Sequence, residues 1–92
     1  MMPLPYSLER KPHLDRVFTK LAKKDPAQLR AIHNKVKQII ENPHRFKPLG
    51  AKMKNMRRVH ILKSFVLVYE IHESEKIVEL WDYDHHDRIY RK

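Results

Sequence analysis

The sequence predicts an α+β fold in which a short strand precedes an antiparallel helical hairpin and a three-stranded antiparallel meander, with the helices packed on one sheet face. Three observations predict it. Apolar residues recur at helical spacing from residue 14 to residue 40, interrupted once at Asp25-Pro26. From Met56 the period changes to two. The alternating segments are separated by turns so short that neighbours must run antiparallel. Ninety-two residues suffice for one core and not for two, so residues 1–92 read as a single domain.

Each element has its own signals. "YSLER" at Tyr6 to Arg10 alternates after two prolines and reads as a first strand, stopped by Pro12. From His13 to Lys24 the apolar residues Leu14, Val17, Phe18, Leu21 and Ala22 fall on one helical face, while Arg16, Lys20, Lys23 and Lys24 fall outside it. The second helix has Asp25 as its cap, Pro26 at the first helical position, Gln28 at the capping-box position, and a stripe of Leu29, Ile32, Val36, Ile39 and Ile40. Asn42 reads as its left-handed C-terminal cap and Pro43 as its stop. "HRFKPLGAKMKN" has no sustained period and reads as a loop. Strands are expected at Met56 to Leu62, Phe65 to His72 and Lys76 to Tyr83, with turns at Lys63-Ser64 and Glu73 to Glu75.

Composition narrows the function classes. Twenty Lys and Arg against eleven Asp and Glu give a net charge of +9, a balance that favours a polyanionic partner, most simply nucleic acid. With no cysteine, disulfides and thiolate zinc sites are excluded, and a single glycine, Gly50, excludes a glycine-rich phosphate loop. "MMPLPYSLERK" has no signal-peptide core, and the longest wholly apolar run, "FVLVY", is too short to span a bilayer. A cytoplasmic protein without a membrane partner is expected.

The chemistry concentrates at "WDYDHHDRIYRK". Its paired histidines suit a metal site, an acid/base pair or a polar strand end. Adjacent residues of an extended strand diverge, whereas ligands of one metal must converge, so the metal reading is disfavoured unless the segment turns. Proton transfer needs only one imidazole on the right face near another titratable group. In "MRRVHIL", Val59 and Ile61 belong against the helices, which leaves Arg58 and His60 on the open face, where His86 and Tyr90 can join them. His13, His33, His44 and His72 read as surface positions, and Trp81 as core or core edge. Lys20, Lys23, Lys24, Lys35 and Lys37 read as a solvated face that can also meet phosphates.

"YSLER", "NPHRFKPLGAKMKNMRRVHI", "FVLVYEI" and "DHHDRIY", in this order and at this spacing, resemble the successive blocks of the RelE/ParE superfamily of toxins from toxin–antitoxin modules, over nearly the whole chain. The resemblance implies a β-α-α-β-β-β fold whose first strand joins the sheet. It also implies a cognate antitoxin as partner. For the RelE branch it implies a ribosome-dependent endoribonuclease that enters the A site, cuts mRNA and so inhibits translation, with no metal or other cofactor. Carried over by position, the catalytic residues are Arg58, His60, His86 and Tyr90, with Lys63 and His85 as support and Lys52, Lys54 and Arg57 on the substrate backbone. Arg58 would take the phosphate charge, the two histidines the proton transfers, and Tyr90 base stacking or help to the 2′-hydroxyl. Val66 stands where the family has an arginine, and Lys63 is the nearest substitute. The ParE branch implies instead a DNA gyrase poison acting by protein contact. A third alternative is a catalytically inactive member that binds RNA or an antitoxin.

Overall fold

A computed structural model describes residues 6–50 and 55–90. It contains β1 (Ser7–Arg10), α1 (His13–Lys24), α2 (Pro26–Glu41), a 3₁₀ turn (Pro43–Arg45), β2 (Met56–Ile61), β3 (Phe65–His72), β4 (Ile77–His85) and a last helical turn, α3 (His86–Ile89). One mixed sheet has the order β1-β4-β3-β2, in which β2, β3 and β4 form the expected antiparallel meander. β1 joins at the far edge, parallel to β4, with Ser7 opposite Ile77 and Arg10 opposite Leu80. A parallel neighbour requires a long crossover, and here everything between β1 and β4 supplies it.

The helical hairpin forms as its signals dictate. Asp25 accepts the backbone N–H of Gln28 at 3.1 Å, and the Gln28 amide reaches back to the same carboxylate at 3.0 Å. The cap satisfies a helix N-terminus that would otherwise leave donors unpaired. The other end differs from expectation. Asn42 is extended, with φ −157° and ψ 88°, and its side chain caps the following 3₁₀ turn by accepting from the His44 N–H at 3.2 Å. The end of α2 and the start of the 3₁₀ turn meet at Asn42, and its side chain serves the second.

Alternation sorts the sheet into two faces. Leu14, Ile32 and Ile39 of the helices meet Ile61, Leu67, Tyr69 and Leu80 of the sheet, all of them nearly or fully buried. Each side chain of this size stabilises the fold by about 1.5–3 kcal/mol when taken out of water. Two tyrosines in this layer keep their hydroxyls bonded: Tyr69 donates to the Pro43 carbonyl at 2.6 Å, and Tyr83 to Gln28 Oε1 at 2.5 Å. Burial pushes both phenols well above the ordinary tyrosine range. The opposite face carries a second, smaller apolar cluster, in which Ile89 of α3 packs on Val66 and Val68 with Leu49 and Met56 beside them.

Three details depart from the predicted elements. β4 runs two residues further than its alternation suggests, to His85, before α3 turns the chain. The register slips between Val68 and Tyr69, which face Asp82 and Leu80 respectively, so Trp81 is the extra residue of a bulge. Trp81 is therefore 37% exposed instead of lying in the core, held by its indole N–H to Glu70 at 2.9 Å and with the Lys11 amine 4.1 Å from its ring centroid. Finally, the segment after the 3₁₀ turn is not free loop: Pro48 bridges Arg57, and the Leu49 and Arg58 N–H groups bond to Met56 and Lys47 carbonyls, so this segment covers the outer edge of β2.

Candidate active site on the open sheet face

Arg58 and His60 lie two apart on β2, so both side chains leave the sheet on the face away from the hairpin. α3 brings the other two residues to them. Its backbone is tied to the β2–β3 turn by the His86 N–H, which donates to the Ser64 carbonyl at 2.7 Å, and its apolar foot is Ile89 on Val66 and Val68. With the turn seated there, the His86 ring stacks on that of His60, with centroids 6.0 Å apart and planes 26° from parallel. The Tyr90 ring stands edge-on to His86 at 4.8 Å. Arg58 closes the group by donating from Nη1 to the Tyr90 hydroxyl, its guanidinium carbon 5.3 Å from the centre of that ring. Arg58, His60, His86 and Tyr90 thus form one continuous patch.

His85 takes another path. As the last residue of β4 it faces Phe65, whose ring it meets edge-on at 5.8 Å, and its Nδ1 accepts the Asp87 N–H at 3.2 Å as the cap of α3. Because the strand ends between them, the two histidines part, and only His86 reaches the patch. Lys63 is exposed in the turn whose next residue, Ser64, holds His86.

The residues expected on the substrate backbone fare differently. Lys52 and Lys54 lie outside the described residues. Arg57 departs from the expected role: it alternates with Arg58, so it turns to the helix side, where Nη1 donates to the Phe46 carbonyl at 2.7 Å and Nε is buried without a partner. Its charge suggested RNA; its register assigns it to fixing the edge segment. In exchange, two cations not singled out from the sequence border the site. A groove of about 330 Å³ beside Arg58 and His60 is lined by Arg45, Phe46, Lys47 and Val59 as well. The signal was present as the basic residues of "HRFKPLG", but only the pairing of this segment along β2 shows that two of them flank the site.

Val66 is fully buried beneath α3, directly across β3 and β2 from His60. The position where the family resemblance expects an arginine is here part of the seat that carries His86 and Tyr90.

Outside the site, the surface histidines anchor segments to carboxylates: His13 reaches Asp82 at 3.4 Å and His44 reaches Glu73 at 2.8 Å. Glu73 also accepts from Tyr6 at 2.9 Å and from Lys76. Lys76, His44 and Tyr6, in that order, hold the Glu73 carboxyl down to about 2. Among the described residues no helix is long and apolar enough to cross a membrane.

Comparison with known proteins gives a consistent picture. The profile of the family described as the ParE toxin of type II toxin–antitoxin system, parDE, matches residues 6–90. An uncharacterized protein of Methanosarcina mazei is 53% identical over 92% of this chain and 99% of its own length. A Methanocaldococcus jannaschii protein named "Putative toxin RelE4" is 46% identical over 95% of this chain and 93% of its own. Among solved structures, the YoeB/ParE toxin from Agrobacterium tumefaciens superposes with a TM-score of 0.74 at 16% identity, covering 87% of this chain and 98% of that one. The archaeal RelE–RelB complex from Pyrococcus horikoshii gives 0.68 at 11% identity, covering 91% and 98%. At these identities the structures establish the shared fold, and the sequence matches establish the kinship.

Proposed function

The chain belongs to the ParE toxin family of type II toxin–antitoxin systems, and from that premise we propose that it is a ribosome-dependent endoribonuclease that cuts mRNA in the A site without a metal. The observation that carries this reading is the convergence of Arg58, His60, His86 and Tyr90 on one exposed patch beside a basic groove.

Cleavage of RNA without a metal requires the 2′-hydroxyl to lose a proton and attack the adjacent phosphorus. The 5′-oxygen leaves as it gains a proton, and the extra charge on the phosphorane needs a cation. Two imidazoles at one patch suit the two transfers, each contributing about 100- to 10,000-fold. Arg58 offers donors to the phosphorane oxygens, an interaction of about 3–4 kcal/mol for a well-placed group. Tyr90 holds Arg58 in place and presents its ring for a base to stack on. Arg45 and Lys47 in the groove serve as phosphate contacts that position the message without reading its sequence.

A cognate antitoxin completes the reading. The solved relatives include toxin–antitoxin complexes, and a chain of net charge +9 suits an acidic partner segment that shields the patch.

A second reading draws on the ParE profile itself: a gyrase poison that shares the fold and acts by protein contact. One pair of assays separates the two. In a cell-free translation reaction, the proposed nuclease cuts message inside the reading frame only when ribosomes are present, and in a separate assay leaves DNA supercoiling by gyrase unchanged. Intact message together with inhibited supercoiling would replace the nuclease by the gyrase poison.

A further inference from the structure

At the other end of the same sheet face stands a group that the nuclease reading does not use. Glu70 and His72 are two apart on β3 and so share a face, and Glu79 is the cross-strand partner of Glu70 on β4. One donor atom from each of the three lies within 4.8 Å of the other two. His72 Nε2 is 3.1 Å from Glu79 Oε1 and 3.5 Å from Glu70 Oε1. A first-row divalent cation bound at about 2.0–2.2 Å from nitrogen and oxygen ligands sets neighbouring donors about 3.0–3.5 Å apart. His72 Nε2 and Glu79 Oε1 are hydrogen-bonded, so an ion would take the place of the proton between them, at donor spacings that already lie in the range of coordination-shell edges.

The surroundings fit the same function. All three ligands come from paired strands, whose hydrogen bonds fix the backbone, so little ordering remains when an ion enters. The Trp81 indole N–H donates to Glu70 at 2.9 Å, and the Lys11 amine holds the second oxygen of Glu79 at 3.3 Å, leaving the first oxygen to face His72. Such outer contacts orient ligating carboxylates. Two carboxylates neutralise a dication, and an imidazole beside them favours a borderline metal over magnesium or calcium. Glu70, His72 and Glu79 are each only partly buried, with side chains 19–35% exposed, so water can complete the shell.

We propose that Glu70, His72 and Glu79 form a site for a transition-metal dication such as Zn²⁺, which cross-links β3 to β4 and takes no part in RNA cleavage. The site is separate from the paired histidines at the start of α3: Glu70 stands five positions along β3 from Phe65, the cross-strand partner of His85, about 16 Å away.

Trp81 is the only tryptophan, and its hydrogen bond to a ligand makes it the reporter. Untagged protein freed of metal is titrated with Zn²⁺ by calorimetry and with Co²⁺ by tryptophan quenching. One equivalent should bind, quench the emission and raise the melting temperature. Glu79→Gln and His72→Gln should weaken binding by at least about tenfold, while His86→Gln leaves it unchanged. Glu79→Gln keeps size and strand propensity, so it carries the test if His72→Gln folds poorly. No saturable binding, binding untouched by both ligand variants, or binding lost in His86→Gln would each overturn the proposal.

Discussion

Arg58 and Tyr90 hold one another: the guanidinium donates to the phenol and lies near its ring, while the same ring meets His86. Tyr90 therefore has two separable uses, a hydroxyl that steadies Arg58 and a ring that supports His86. Tyr90→Phe keeps the second and loses the first, so it should slow message cleavage by about tenfold, the scale of one hydrogen bond to a charged group. Tyr90→Ala should cost more than Tyr90→Phe, and equal losses in the two variants would remove the ring from the account. For the histidines the discriminating measurement is the pH profile of cleavage. Two imidazoles acting as acid and base give a bell, and His86→Gln should abolish one limb while lowering the maximum by about 100- to 10,000-fold. A profile of unchanged shape in that variant would mean that His86 moves no proton. Arg58 and His60 were legible in the sequence because alternation alone assigns them to the open face, whereas His86 and Tyr90 were carried over from the family resemblance. Arg57 was misread for want of the same test: one position out of phase, it faces the helices and bonds Phe46.

α3 is the element on which the site depends most and which the sequence marks least. Four residues are too short for a period, and nothing local distinguishes the end of β4 from the start of the turn. Its position is set by contacts distant in sequence, Ile89 on Val66 and Val68 and the His86 N–H on Ser64. Ile89→Ala should remove that foot at a cost of about 2 kcal/mol, the lower end for an isoleucine in a small cluster. Its melting temperature should fall by about 8–16 °C, and cleavage should fall further than the folded fraction does, because His86 and Tyr90 lose their seat. Activity per folded molecule equal to wild type would show that the turn finds its place without Ile89. The helices stand at the opposite extreme. Their periodicity, the Asp25 cap and the Pro26 start were all readable, since each is a local signal answered by a local bond. Asn42 shows the limit of such signals: a residue that favours left-handed ends of helices is also a good N-terminal cap, and the next turn recruits it.

At the scale of the molecule, the fold class followed from the change of period, but two features of topology did not. β1 pairs in parallel with β4 across most of the chain, a pairing that no turn announces, and the bulge at Trp81 shifts one strand against its neighbour. Glu73 is where distant parts are tied together, since it receives Tyr6 from before β1, His44 from after α2, and Lys76 from its own turn. Its carboxyl titrates near 2, below the ordinary value of 4.5. A depressed folded pKa means that the unfolded chain binds the proton first, so this tie stabilises fully above about pH 4.5 and is lost as the pH falls toward 2. In chelator-containing buffer, Glu73→Gln should flatten that part of the stability curve, and an unchanged acid limb would assign the loss to other carboxylates.

The central claim, that Arg58, His60, His86 and Tyr90 form one active centre, is tested most directly by cleavage on programmed ribosomes at a fixed message concentration. Wild type is compared with an Arg58→Ala/His86→Gln double variant, both checked for fold by circular dichroism. Cleavage by the double variant should fall by at least about 1,000-fold with the fold retained. A folded double variant that cuts within about threefold of wild type would contradict it and place the chemistry elsewhere on the chain.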